Sequence, residues 1–303
     1  MENKGELFEK RVHGTESFPC GMYQSKGSTL SHYVKYHWHK ECEIIYFRKG
    51  DFLLGVNMEK YEVKEESIYF INQEELHNIT CTKAPFEELA FVFHTSILRF
   101  MENDEGEKSI IEPFIDQQIM FPRCVLSGEK AFAKIKEELL QAQAALKNEK
   151  RDASMETTTN PVSQLLLKAS FIKIMAYLEE YHLLTENREI IDPRVGVLKK
   201  VISFIEQKYQ EKIYVNQLAK LANMNEQYFC RFFKKSIGKT PIEYVNEYRI
   251  KKAKHLLKDT ELSVMEVCME TGFNNLGNFM REFRKYNQTT PLQYRNSFSY
   301  LTK

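Results

Sequence analysis

The sequence predicts an α+β multidomain chain: an N-terminal β-barrel (jelly roll), a helical dimerisation segment, and an all-α C-terminal domain with two helix-turn-helix units. Three observations carry this. Short β-branched and aromatic runs separated by turn residues fill roughly the first hundred residues. The apolar period then changes from two to about 3.6. Roughly the last hundred residues contain one helical pattern twice. The expected boundaries are 1–125 for the barrel, 126–192 for the helical connector and linker, and 193–303 for the C-terminal domain. Within the last, the two units are expected at about 215–236 and 264–286.

In the barrel, Glu43-Ile44-Ile45-Tyr46-Phe47, Phe52-Leu53-Leu54-Gly55-Val56 and Ser67-Ile68-Tyr69-Phe70-Ile71 read as strands. Lys49-Gly50-Asp51 and Asn72-Gln73-Glu74-Glu75 read as the turns that end them. Many short strands at this spacing suit a small barrel or jelly roll. From Glu129 to Lys150, Phe132, Ile135, Leu139, Leu140 and Ala144 recur at helical spacing. Asp152 to Asn160 is polar and ends at Pro161, so it reads as a loop. Val162 to Leu184 is a second helix with apolar residues at Leu165, Leu166, Ala169, Ile172, Ile174, Met175 and Leu178. That is more apolar surface than one solvent-facing helix needs, so part of it is expected to close either a dimer or an intrachain core. Glu186 to Pro193 reads as the linker.

The duplication lies beyond it. Val215-Asn216-Gln217-Leu218-Ala219, then Tyr228-Phe229-Cys230-Arg231-Phe232-Phe233-Lys234-Lys235, then Gly238-Lys239-Thr240-Pro241-Ile242-Glu243-Tyr244 form the first copy. Val264-Met265-Glu266-Val267-Cys268, Asn278-Phe279-Met280-Arg281-Glu282-Phe283-Arg284-Lys285 and Gln288-Thr289-Thr290-Pro291-Leu292-Gln293-Tyr294 form the second. Phe229, Arg231, Phe233, Pro241 and Tyr244 each recur fifty residues later. Short helix, tight turn and second helix with a basic face is the grammar of a helix-turn-helix, which reads the major groove through its second helix. Asn225 is placed to cap the first reading helix. Gln227, Cys230, Arg231 and Lys234 share one face of it at i, i+3, i+4 and i+7, while Phe229, Phe232 and Phe233 turn inward. Arg231 suits bidentate contact with guanine and Gln227 suits adenine. Lys234 suits phosphate.

The second unit has one more turn residue, Gly272-Phe273-Asn274-Asn275, and presents Leu276, Gly277, Met280, Arg281 and Arg284. Only Arg281 offers bidentate base readout there. Leu276, Gly277 and Met280 suit thymine methyls, and Arg284 the backbone. The bland alternative is that Arg231 and Arg281 only form surface salt bridges. Pro241 to Lys258 is expected to be a long helix that joins the units. Cys268 is expected to pack in a core.

At these residues, from about Lys199 to Ser299, the chain resembles the AraC/XylS family of bacterial transcription regulators. One departure is Gln288, where the family pattern has Gly and the first copy has Gly238. In left-handed backbone a Gln costs up to about 1–2 kcal/mol.

Charge agrees with a polyanionic partner. The net charge of +1 hides 20 Lys and Arg against 10 Asp and Glu in residues 193–303, and 23 against 32 in residues 1–192. Basic side chains displace the counterions around phosphate. The six cysteines, Cys20, Cys42, Cys81, Cys124, Cys230 and Cys268, are dispersed, with no C-x-x-C pair, which argues against a zinc site or a disulfide framework. Met1 to Glu6 lacks an apolar signal region, and no run reaches the roughly 20 apolar residues of a membrane helix. A cytoplasmic chain with free thiols and no membrane contact is expected.

One further constellation stands in the barrel. His37-Trp38-His39 is followed by Glu43, Gly50 and, after a turn, His77. This spacing resembles the metal-binding signature of cupins, so the barrel is expected to be cupin-like. In a strand, i and i+2 share a face, so His37 and His39 point the same way. With Glu43 and His77 they form a set that suits Mn, Fe, Ni, Cu or Zn without choosing among them. Barrels of this regulator family resemble cupins while serving as effector receptors, which opens a second use. The same four residues, with Trp38 and Tyr46, would then hold a polar effector such as a carbohydrate. A purely structural cluster is the third use.

The leading expectation is therefore a ligand-responsive transcription factor and not an enzyme, with no certain cofactor; a divalent transition metal in the cupin site is the alternative use of the effector pocket. The family resemblance implies an activator that binds promoter half-sites in the major groove of double-stranded DNA, as a homodimer and with RNA polymerase as a partner. The alternative is a cupin metalloenzyme with a DNA-binding appendage. A ligand-independent architectural DNA binder is a third reading.

Overall fold

The computed structural model describes residues 7–9, 11–30, 32–100, 104–146, 157–187 and 193–299. The chain divides into two compact units: the barrel with its helices up to the linker region, and the helical unit that follows it.

The first unit contains β1 (Cys20–Gly27), β2 (Tyr33–His37), β3 (Cys42–Val56), β4 (Glu59–Val63), β5 (Ser67–Ile71) and β6 (His77–Phe93). After them come the short helix α1 (Glu112–Ile115), β7 (Ile119–Met120), β8 (Cys124–Leu126), α2 (Phe132–Leu146), α3 (Pro161–Glu180) and β9 (Thr185–Glu186). The main sheet runs β1-β6-β3-β5-β8, all antiparallel, with β2 added to β6 and β4 to β3. The two long strands serve both layers. Cys42 to Phe47 pairs with β5 and the end of β6, while Phe52 to Val56 pairs with β4 and the start of β6. The fold-over occurs where the β3–β6 register slips between Phe47 and Phe52. Lys49-Gly50-Asp51 is thus a bulge inside one strand, not the turn expected between two. Gly50 takes φ of 87°, and a Cβ there would meet the Lys83 carbonyl at 2.6 Å. The same backbone freedom that suits a turn here bends a continuous strand.

Strand alternation divides the barrel's apolar residues between two cores. Ile45, Phe47, Phe52, Leu54, Val56, Ile71, Ile79 and Ala90 fill the interior. Ile44, Tyr46, Phe70, Leu89, Phe91 and Phe93 face outward and are covered by α2 and α3 through Phe132, Ile135, Leu139, Phe171, Ile174 and Leu178. Phe171 stacks on Phe93 at 4.6 Å between centroids. Each such buried side chain contributes about 1.5–3 kcal/mol. Two of the expected inward residues of α2 are not inward: Leu140 is 37% exposed and Ala144 is exposed. On α3, Asn160 caps the first turn. The helix ends at Glu180, one turn earlier than Leu184, and Leu183 and Leu184 pack against the core edge instead. Val162, Leu165 and Leu166 are 62%, 68% and 52% exposed. Glu186 is paired with Ile119 in the β7–β9 ladder, so the linker begins after it. The core of the linker and most of the polar loop before α3 lie outside the described residues.

The second unit is helical: α4 (Pro193–Lys208), α5 (Val215–Leu221), α6 (Glu226–Ile237), α7 (Pro241–Asp259), α8 (Val264–Glu270), α9 (Leu276–Asn287) and α10 (Pro291–Ser299). The sequence duplication is a duplication of packing. Phe229 and Phe233 stand 5.7 Å apart at 53°, Phe279 and Phe283 5.7 Å apart at 59°. Phe233 meets Tyr244 edge-on at 5.8 Å, and Phe283 meets Tyr294 at 5.6 Å. Caps repeat as well. Asn225 and Asn275 accept from the N–H three residues on. Thr240 with Glu243, and Thr290 with Gln293, form reciprocal capping pairs. Cys268 is fully buried in the core of the second helix-turn-helix unit, as the sequence predicts.

Both reading helices end on a left-handed residue: Gly238 at φ 79° and Gln288 at φ 58°. Nothing lies within 4 Å of a Cβ placed on Gly238, so only backbone strain separates the two sites. Gln288→Gly should therefore raise the unfolding free energy of the full-length chain by about 1 kcal/mol, read from urea denaturation followed by helical circular dichroism. Gly238→Gln should lower it by a similar amount, and an unchanged midpoint in both would refute the strain.

Candidate functional site

The expected DNA-reading side chains lie on two equivalent helices. On α6, Gln227, Arg231 and Lys234 are exposed and Cys230 is half-buried. Phe229, Phe232 and Phe233 are buried on the opposite face. Tyr228, 47% exposed beside Gln227, joins this surface, although the helical spacing does not single it out. On α9, Leu276, Gly277, Arg281 and Arg284 are exposed. Met280 is different: it packs against the core of the second unit, which leaves only part of its side chain for a groove. Arg281 is also engaged. Its guanidinium donates to Asn278 Oδ1 at 2.6 Å and to the Glu282 carboxylate at 3.3 Å. Arg231 has no such partner among the described residues. The two reading helices thus share a geometry and differ in how freely their arginines can turn to a base.

In the barrel, strand pairing gathers the second constellation. His37 ends β2 and lies opposite His77 at the start of β6, with ring centroids 4.2 Å apart. His39 follows two residues later, 5.1 Å from His77 and 5.6 Å from His37. One ring nitrogen of each lies within 4.8 Å of the other two. Glu43, on β3, places Oε2 3.1 Å from His77 Nε2 and 3.8 Å from His39 Nε2.

The hydrogen bonds fix the tautomers. His37 Nδ1 lies 2.9 Å from the Lys35 carbonyl, His39 Nδ1 3.0 Å from the Glu41 carbonyl, and His77 Nδ1 2.8 Å from the Glu75 carbonyl. A carbonyl only accepts, so each Nδ1 carries the proton and each neutral ring turns an Nε2 lone pair inward. Nε2 of His39 and of His77 is buried with no hydrogen-bond partner. Lone pairs therefore face a carboxylate, an arrangement that needs a proton, a hydroxyl donor or a cation between them.

The protonation equilibria reflect this. Burial alone would raise the Glu43 carboxyl, but the adjacent His39 and His77 rings, which donate to it and carry positive charge when protonated, hold it well below the usual carboxylate range. Burial alone would lower His39, yet the nearby Glu43 carboxylate, which favours the protonated ring, lifts it above its ordinary value. A proton on His39 Nε2 is thus one way the cluster is neutralised. Burial first, then His77 and His39, push His37 well below its usual range.

Two further groups reach the cluster, and no sequence spacing announces them. Glu9 Oε2 is 3.4 Å from His37 Nε2 and 3.7 Å from His13 Nε2. His13 is buried with its ring 5.4 Å from His39, and its Nδ1 lies 2.7 Å from the Tyr23 hydroxyl. Both come from irregular chain before β1. Conversely, Tyr46 leaves the set. It is three residues from Glu43 along one strand, so it points to the opposite face, packs edge-on against Phe132 and donates to Glu66 Oε1 at 2.7 Å. Trp38 likewise turns away from its two histidine neighbours and packs against Phe8, with centroids 4.6 Å apart and the rings tilted by 54°.

Known proteins share both halves of the chain. Residues 218–297 match a family model described as a helix-turn-helix domain, and residues 21–153 match one described as an AraC-like ligand binding domain. A Bacillus subtilis protein named as the uncharacterized HTH-type transcriptional regulator YdeC is 28% identical over 295 residues, 97% of this chain and 96% of that one. The Msm operon regulatory protein of Streptococcus mutans is 27% identical over 139 residues, 46% of this chain and 50% of that one. Among solved structures, the DNA-binding domain of AdpA in complex with a target DNA shares 27% identity, with 35% of this chain and 95% of that one covered and a TM-score of 0.34. Among the described residues no helix is long and apolar enough to cross a membrane.

The cluster has a consequence for stability. Burial, then the His39 charge, push the His13 imidazole down to about 3 from its ordinary 6.5. Between about pH 6.5 and 3 the unfolded chain binds a proton that the folded chain refuses, so stability falls as the pH drops through that window. The sole tryptophan, Trp38, lies in this unit and reports its unfolding. In urea denaturation read by its fluorescence, His13→Asn should flatten the loss of stability across that window. A slope equal to that of the unaltered chain would show that His13 does not contribute.

Proposed function

The chain belongs to the AraC family of transcriptional regulators, DNA-binding proteins rather than enzymes, and we propose that it is an activator whose barrel binds a small polar effector at His37, His39, Glu43 and His77. The observation that carries the DNA half is the pair of equivalent helices exposing Arg231 and Arg281 at one position of a duplicated unit. Each helix would enter a major groove. Arg231, and Arg281 once it leaves Glu282, would read guanine, with Gln227 reading adenine. Lys234 and Arg284 would bind phosphate and set the register. Leu276, Gly277 and the exposed part of Met280 would meet thymine methyls, and Cys230 lies within the same footprint. The cupin metalloenzyme alternative has no support in relatives named as regulators.

For the effector, the inward lone pairs of the imidazoles and the Glu43 carboxylate call for hydroxyl donors. A carbohydrate or another polyol supplies several on one face. A second reading has its own observation: all three imidazoles donate Nδ1–H to a backbone carbonyl, the arrangement that orients metal-ligating histidines. The same four residues would then hold a divalent transition metal, which would contribute positive charge to an acceptor-rich site. The effector biases transcription only if two states of the regulator bind it with different affinity.

The dimer expected of such a regulator has a suitable surface on α3. Val162, Leu165, Leu166 and Ala169 stand at i, i+3, i+4 and i+7, all exposed. The proposed setting is the cytoplasm, with RNA polymerase as a further partner. The six cysteines free of disulfides agree with a reducing compartment.

Two measurements test this. Selection of random duplexes with the purified chain should recover a motif of two blocks about one helical turn apart. Arg231→Ala should then lose preference at one base position at a cost of about 1–3 kcal/mol; an unaltered motif would remove Arg231 from base readout. For the dimer, Leu165→Lys with Leu166→Lys should shift sedimentation from dimer to monomer at equal melting temperature. A persistent dimer would place the interface elsewhere.

A further inference from the structure

The cluster that reads as an effector or metal site has a carboxylate beyond the four residues assigned to it. Glu9 is held over the cluster by its own backbone: its N–H donates to the Trp38 carbonyl at 2.9 Å, and Phe8 before it bridges to Trp38 and packs at a tilt against the indole. This anchoring puts Glu9 Oε2 3.4 Å from His37 Nε2. With Nδ1 committed to the Lys35 carbonyl, neutral His37 offers only a lone pair at Nε2. The contact is therefore acceptor against acceptor, and so is the 3.1 Å approach of Glu43 to His77 Nε2. Two carboxylates from separate chain segments converge on three imidazoles whose other nitrogens are already bonded.

We propose that Glu9 is a ligand of a divalent metal ion held by His37, His39, Glu43 and His77, so that the N-terminal segment closes the site as part of its coordination. This rests on the metal reading of the cluster. A cation turns every one of these repulsive contacts attractive, whereas a polyol would have to supply a separate hydroxyl for each acceptor. The charges also match: two carboxylates with neutral imidazoles carry −2, the complement of a divalent ion, and mixed imidazole and carboxylate donors suit first-row transition metals. Glu41 is a useful contrast. Its carboxylate is 3.8 Å from His39 on the Nδ1 side, the nitrogen turned away from the cluster, so it adds nearby negative charge without a donor atom inside.

The test uses the full-length chain, stripped of metal and titrated with Co2+. Trp38, between His37 and His39 in sequence and the only tryptophan in the chain, reports binding by paramagnetic quenching. Equilibrium dialysis gives the stoichiometry. The unaltered chain should take up one Co2+. Glu9→Gln should weaken it roughly 10- to 100-fold, Glu9→Asp should retain part of the affinity, and Glu41→Gln should leave it within about twofold. If Glu9→Gln folds and binds Co2+ as tightly as the unaltered chain, Glu9 is not a ligand, and the four-residue site stands without it. If Glu9→Gln does not fold, full Co2+ affinity in Glu9→Arg likewise removes Glu9 from the ligand set. Absence of stoichiometric Co2+ in the unaltered chain overturns both this assignment and the metal reading beneath it.

Discussion

The C-terminal half depends on a lock between the end of one helix and the turn of another. Arg249, on α7, donates Nε–H to the Tyr209 carbonyl at 2.7 Å and an Nη2–H to the Glu211 carbonyl at 2.7 Å, just past the last turn of α4. A cation at a helix C-terminus satisfies carbonyls that the helix itself leaves open. The same guanidinium lies over the Phe273 ring in the turn of the second unit. Next to Phe273, Gly272 runs so close to Tyr209 that any Cβ would collide with its carbonyl oxygen, and its φ is 79°. Gln210 adds a hydrogen bond to the Glu270 carbonyl at 3.0 Å. The start of the first unit is thereby fastened to the turn of the second. The aromatic pairs and caps of each unit can then repeat without the units drifting apart.

The barrel works by the opposite device. Its interior is filled by aliphatic and aromatic side chains, and the polar chemistry is gathered at one place where β2, β3 and β6 begin or end. Burying so many acceptors together costs free energy unless something positive sits among them. A proton on His39, which the nearby Glu43 carboxylate favours, would meet part of that need. The cluster is consequently an unsatisfied site built into a well-satisfied scaffold, and its geometry is held by backbone carbonyls rather than by the groups that would meet a ligand.

Much of this was legible in the sequence. The constant offset from Phe229 to Tyr294 exposed the duplication, because caps, aromatic contacts and helix ends each constrain a residue type. His37 and His39 could be paired because a strand shows alternate residues to one side. That same parity excludes Tyr46, three residues from Glu43, and Trp38, between the histidines; applying it throughout would have removed both. The bulge at Gly50 was not legible, since a positive φ serves a turn and a bulge alike. Glu9 and His13 were not legible either. They reach the cluster from irregular chain, where spacing carries no information, and only the pairing of Phe8 with Trp38 brings them in. Met280 was half legible: its helical face was right, but the second core takes part of its volume.

The long helix α7 ties the two reading units together. Its 19 residues, Pro241 to Asp259, span about 28 Å at 1.5 Å per residue. It is capped at the start by Thr240 and Glu243, packs into the second core through Ile250, Ala253 and Leu257, and is tied to α4 by Arg249. Inserting or deleting one residue in it would rotate one unit against the other by about 100° and break those contacts. Point changes on the reading faces carry no such penalty. Under the proposed base readout, a lineage descended from this chain could rewrite which letters it recognises one base at a time, while the gap between its two words would stay almost fixed.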